Sequence, residues 1–151
     1  MKTIKILSLS LFTCFTLAIN GQEAEPKSEL EQISETLMDY IEGTGNGEPD
    51  RLRRAFHPDF NLYTVTEQDS LRVRNGEAYI SNFVEGEKSS RVGRIINIDY
   101  ENNAATAKVE ILIPGWKIFT DYFLLLKYEG SWKIVHKSYT GRLISDIQKK
   151  E

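Results

Sequence analysis

The sequence predicts an α+β domain in which a curved antiparallel sheet wraps over three N-terminal helices to make a cone. Three observations carry this reading. Apolar residues recur at helical spacing from Leu30 to Ile41, and they alternate with a period of two in the second half of the chain. Helices gather at the front and strands at the back, which is the order of an α+β domain and not of an alternating α/β one. The 151 residues are 40% hydrophobic and 27% charged, a normal balance for one domain with one core.

The N-terminus reads as a secretory signal. Lys2 and Lys5 precede an uncharged run from Ile6 to Ile19, and Asn20, Gly21 and Gln22 follow it. The run is shorter than the ~20 residues of a transmembrane helix. Leu11-Phe12-Thr13-Cys14 departs from a lipoprotein signal, because Thr13 is larger than the residue that normally precedes a lipidated cysteine and the apolar run continues past Cys14. The expected division is a signal peptide at 1–21, a linker at 22–27, a domain at 28–141 and a polar tail at 142–151. The expected location is the periplasm or the exterior, with no membrane insertion after cleavage. Cleavage removes the sole cysteine, so the mature chain has neither a disulfide nor a thiol nucleophile. It also leaves seventeen basic against twenty-two acidic residues, a net charge of −5. With no basic cluster, that balance argues against nucleic acid or an anionic membrane as a partner.

Ser28 and Glu31 form a capping box ahead of the first helix. Its buried stripe is Leu30, Ile33, Leu37, Tyr40 and Ile41, and Gly43, Gly45 and Gly47 stop it. Pro49 opens a second helix to Phe56, and His57-Pro58-Asp59 ends it. Phe60–Thr66 and Leu71–Arg74 are a strand and its return. Asn75 caps a third helix with Tyr79, Ile80, Phe83 and Val84 inward. Val92–Glu101 and Ala104–Ile113 flank the turn pair Asn102-Asn103, and Phe119–Tyr128 and Trp132–Tyr139 make a second long hairpin. A three-residue turn, Tyr128 to Gly130, would pair Lys127 with Ser131 and set Asp121 opposite Lys137. His136 then shares the face of Tyr122, Leu124 and Leu126, which is expected to meet the helices. The alternate face, with Phe123, Leu125, Val135 and Tyr139, is expected to form a two-fold interface.

Asp39-Tyr40-Ile41-Glu42-Gly43, Ala55-Phe56-His57-Pro58-Asp59 and the stretch from Phe119 through Gly130-Ser131-Trp132 to Lys137 resemble the nuclear transport factor 2-like superfamily. That superfamily includes the ketosteroid isomerases and the SnoaL-like proteins, and the fold it implies is the cystatin-like roll. Within it the chain is most similar to the exported bacterial group described as "putative lumazine-binding", over Glu29 to Thr140. The resemblance to the isomerases implies a tyrosine on the first helix and a carboxylate in the first strand. Those positions fall on Leu37 and Thr64, and Phe60–Thr66 contains no Asp or Glu. The isomerase mechanism is therefore not expected here.

Tyr40, His57, Trp116, Asp121, Tyr122, His136 and Lys137 are the candidate ligand-binding residues. The aromatics and histidines each join an apolar body to a polar tip, which suits a small, partly apolar or aromatic molecule. Asp121 with Lys137 is either a sheet-stabilising ion pair or a pocket-mouth pair whose lysine meets an anionic ligand. His57 is either a pocket acid or base, or a ring bonded to backbone at the helix-to-strand corner. The cavity is expected to open between the first helix, that corner and the last hairpin. No metal-ligand spacing, phosphate loop or Gly-x-Ser-x-Gly elbow occurs, so no metal or cofactor is expected. Three functions fit: a non-catalytic binder of a small molecule, a SnoaL-like acid/base enzyme using a pocket histidine with Asp121, or a homodimeric interaction module with a filled cone.

Overall fold

The computed structural model describes residues 25–145, so the expected signal peptide, the start of the expected linker and the end of the expected tail lie outside the described residues. Helix α1 (Glu29–Asn46) opens on the expected capping box: the Ser28 hydroxyl accepts from the Glu31 amide at 3.3 Å, and the Glu31 carboxylate accepts from the Ser28 amide at 2.8 Å. Ile33, Leu37, Tyr40 and Ile41 are buried, while Leu30 in the first turn stays half exposed. The helix passes through Gly43 and Gly45 and stops only at Gly47, which takes a left-handed φ of 66°. Gly43 serves packing instead, because a Cβ there would lie 2.8 Å from Leu52 Cδ2 on the next helix.

That next helix is α2 (Pro49–Ala55), with Pro49 in its first turn. Strand β1 (Phe56–Val65) follows directly, and β2 (Leu71–Asn75) returns antiparallel to it. The Asn75 side chain accepts from the Ala78 amide at 3.2 Å and caps α3 (Gly76–Ile80). Tyr79 and Ile80 are buried, but Val84 lies beyond the end of α3 and is exposed, not inward as expected. Strands β3 (Val92–Glu101), β4 (Ala104–Ile113), β5 (Lys117–Tyr128) and β6 (Ser131–Leu143) complete the chain.

The six strands form one curved, open sheet in the order β2-β1-β6-β5-β4-β3. The chain crosses past α3 to the far edge and meanders back until its last strand meets its first. That last contact, β1 against β6, is parallel, and every other neighbour is antiparallel. The expected cone is present, with one parallel seam inside it.

Two local features decide which face of the last hairpin meets the helices. The turn has two residues, not three: Glu129 and Gly130 have φ of 47° and 78°, and Tyr128 pairs with Ser131. Further along, Leu124 pairs with His136 but Leu125 with Ile134, so Val135 is an extra residue in a β-bulge. A bulge reverses the alternation beyond it. Trp132 and Ile134 are buried before it, Lys137 is buried after it, and His136 turns to the outer face. On β5 the inward residues are Asp121, Phe123 and Leu125, whereas Tyr122, Leu124 and Leu126 are exposed. The expected faces of β5 are therefore inverted, and Phe123 and Leu125 belong to the core and not to an interface. The alternation gave no warning, since both faces of β5 carry large apolar side chains.

Candidate functional site

The wide end of the cone holds a cavity of about 290 Å³ under α1 and α3 and against β4, β5 and β6. Tyr79, Phe83, Ile111, Phe119 and Tyr139 supply apolar wall. Three charged or hydroxyl groups meet at its floor. Tyr40 arrives on the buried stripe of α1, Asp121 on the inward alternation of β5, and Lys137 on β6 just past the bulge. The Tyr40 hydroxyl donates to Asp121 Oδ2 at 2.6 Å, and Lys137 Nζ donates to Tyr40 Oη at 2.5 Å. Lys137 Nζ also lies 3.0 Å from Asp121 Oδ2. The expected ion pair thus exists, but diagonally: Asp121 pairs with Tyr139 across the sheet, and Lys137 with Phe123. It sits at the cavity floor, not at its mouth, with Asp121 1% and Lys137 4% exposed.

The lysine ammonium is also ringed by aromatic faces. It lies 4.6 Å from the Tyr40 centroid, 5.3 Å from Tyr139, 5.4 Å from Tyr79 and 5.7 Å from Phe123. Such contacts replace part of the hydration that a buried cation loses. Asp121 Oδ2 accepts from two donors, while Oδ1 is buried without a partner.

Burial first, and then the Asp121 charge beside it, push the Tyr40 hydroxyl well above the ordinary phenol range. Tyr40 is therefore a proton donor throughout the neutral range. Its raised folded-state pKa gives a stability contribution that is complete below about pH 10, where an unfolded tyrosine ionises, and is lost as pH rises further. Urea unfolding measured from neutral to alkaline pH should show this loss in the native chain, and a smaller one in Tyr40→Phe.

Of the seven candidate residues, the structure brings Tyr40, Trp116, Asp121 and Lys137 to this cavity, Trp116 at its rim. His57 lies at the other end of the strands. Its Nδ1 accepts from the Asp59 amide at 3.2 Å and its ring meets Tyr128 edge-on, so the cavity does not open at that corner as expected. His136 stacks on Tyr63 on the outer face, with centroids 4.6 Å apart. Tyr122 is exposed on the same outer face, near Lys108. The bulge moves His136 away from the cavity, and the inward alternation of Asp121 and Phe123 leaves Tyr122 outside. Arg74, Arg91 and Tyr139 line the cavity and were not among the candidates. Tyr139 was assigned to the wrong face, and the arginines lie on or near exposed segments with no motif to mark them. Leu37, which the isomerase resemblance singled out, is fully buried in the core, and the carboxylate at this cavity comes from β5. Among the described residues no three metal-ligating side chains come together.

Known proteins can be set beside this geometry. The chain matches the family described as "Putative lumazine-binding" over residues 28–140. It is 25% identical over 114 residues to "Aldolase FrzH" from a Cladobotryum species, spanning 74% of this chain and 90% of that protein. Among solved structures, it resembles a nuclear transport factor 2-like protein of unknown function from Shewanella baltica, at 28% identity and a TM-score of 0.67, covering 76% of this chain and 94% of the other. It also shares the fold of a cystatin-like domain of unknown function from Nostoc punctiforme, at 14% identity and a TM-score of 0.55, covering 76% of this chain and 78% of the other. A six-stranded cone over three helices, matched along three-quarters of its length, places this chain in the "Putative lumazine-binding" family of the nuclear transport factor 2-like superfamily.

Proposed function

We propose that this protein is an exported, non-catalytic binder of a small, flat, partly apolar molecule held in the cone cavity. The observation that carries the reading is the cavity itself: aromatic walls over a floor where Tyr40 and Lys137 converge on Asp121 Oδ2. Such a site offers shape and apolar contact first, and a few fixed polar groups second. Native mass spectrometry of protein purified from its own source should show the mature chain carrying one small molecule. A chain that is bare under gentle ionisation, and that binds nothing from an extract of the same cells, would contradict the proposal. Export is part of the proposal, and N-terminal sequencing should find the mature chain beginning near Gln22.

One observation favours a second reading, a general acid/base enzyme. Asp121 Oδ1 is buried at the cavity without a partner, and a carboxylate oxygen so placed can take a proton from a bound substrate. The likeness to an aldolase points the same way. The histidines are not the carriers of this chemistry, because neither lies at the cavity. Asp121→Asn would separate the readings: it would abolish turnover of the captured molecule if the site is catalytic, and only weaken its binding otherwise.

The outer sheet face supports a homodimer. Tyr122, Leu124, Leu126 and Tyr128 are each 45–49% exposed there, too apolar a patch for a solvated face. Sedimentation velocity at micromolar concentration should show a dimer that Leu124→Asp converts to monomer. A native chain that sediments as a monomer would oppose it.

A further inference from the structure

The charges around the cavity are unequal. Asp121 and Lys137 neutralise each other at the floor, which leaves Arg74 and Arg91 as the remaining charged groups of the lining. Most arginines elsewhere are paired. Arg51, Arg53, Arg54, Arg94 and Arg142 each form an ion pair with a carboxylate. Among the described residues Arg72, Arg74 and Arg91 form none, and two of these three line the cavity. Arg74 lies with its guanidinium carbon 5.9 Å from the Tyr79 centroid, and Arg91 with its own 5.3 Å from that of Phe83. Tyr79 and Phe83 are themselves in edge-to-face contact, with centroids 5.2 Å apart. The two guanidinium groups are thus stationed on one aromatic ledge, stacked against rings and with no acid to occupy their N–H donors.

A chain of net charge −3 therefore carries an electropositive rim at the mouth of an aromatic cavity. A rim of one sign over low-dielectric walls concentrates the field and selects ligands of the opposite sign. Guanidinium suits a planar carboxylate in particular, because its N–H donors match the two oxygens.

We propose that the molecule taken by this cavity is an aromatic carboxylate, its ring among Tyr79, Phe83 and Phe119 and its anionic group at the Arg74–Arg91 rim. This rests on the cavity being a binding site. It adds the charge of the ligand and the two residues that read it.

The test is calorimetry with three probes of one shape: 2-naphthoate, the neutral 2-naphthamide and the cationic 2-naphthylmethylammonium. The native protein should prefer the carboxylate over the amide by about tenfold or more, as for a hydrogen bond to a charged group, and the cation should bind least. The preference should shrink at high salt. In the double variant Arg74→Gln, Arg91→Gln, the carboxylate should fall to the affinity of the amide, and the amide should keep its native affinity. Equal binding of carboxylate and amide by the native protein, or an unchanged preference in the double variant, would overturn the charge assignment and leave the binding reading standing. No binding of any of the three would overturn both.

Discussion

Replacing Lys137 with alanine is expected to destabilise the domain by about 3–5 kcal/mol, the cost of leaving a buried charge without its partner. The substitution strips Asp121 of its cation, and the Tyr40 hydroxyl at 2.6 Å is then its remaining partner. It also empties the space between the rings of Tyr40, Tyr79, Phe123 and Tyr139. The double variant Asp121→Leu, Lys137→Met should lose much less than the single one, because an apolar pair of similar volume removes both desolvation costs together. Urea unfolding of the two single variants and the double one gives the coupling directly. A loss of less than about 1 kcal/mol for Lys137→Ala would mean that water reaches this pair, and that the cavity floor is not closed.

Trp132→Ala is expected to cost about 3–5 kcal/mol, as for other large buried aromatics. Trp132 is 2% exposed under α1, and its indole N–H donates to Glu29 Oε2 at 2.7 Å. Lys127 Nζ donates to the other oxygen of Glu29, and the Thr36 hydroxyl donates to the Trp132 carbonyl at 3.2 Å. The indole therefore anchors the start of α1 to the last hairpin as well as filling the core. Phenylalanine at this position should recover most of the packing but not the bond to Glu29. If Trp132→Phe and Trp132→Ala lose the same amount in chemical denaturation, the indole N–H and not the ring volume is the main contribution.

Much of the fold was legible because it rests on local chemistry. The capping box at Ser28, the proline that opens α2, the Asn75 cap and the strands from Val92 to Ile113 are written in a few residues each. The site was less legible for a definite reason. Val135 is an ordinary strand residue, and nothing in its side chain marks a bulge, yet the bulge turns Lys137 inward and His136 out. The ion pair of Asp121 and Lys137 was expected from a register that is two residues wrong, and the diagonal reach of the lysine still brings the two together. Tyr40 was legible as part of the α1 stripe. Arg74 and Arg91 were not, because an arginine on an exposed segment is ordinary until tertiary structure places it over an aromatic ledge.

A ligand site inside the cone has a rival on the same molecule. The outer face carries shallow apolar grooves of its own, along Thr106, Leu124 and Leu126 and beside Tyr122 and His136. The most direct measurement compares the native chain with two variants in their affinity for the small molecule expected to co-purify with it. Ile113→Trp places a large ring in the cavity, since Ile113 lines it and is only partly buried. Leu124→Asp disrupts the outer groove and leaves the cavity walls intact. Calorimetry should show binding lost in Ile113→Trp and kept in Leu124→Asp. Binding kept in the first and lost in the second would place the ligand on the sheet's outer face and contradict the account.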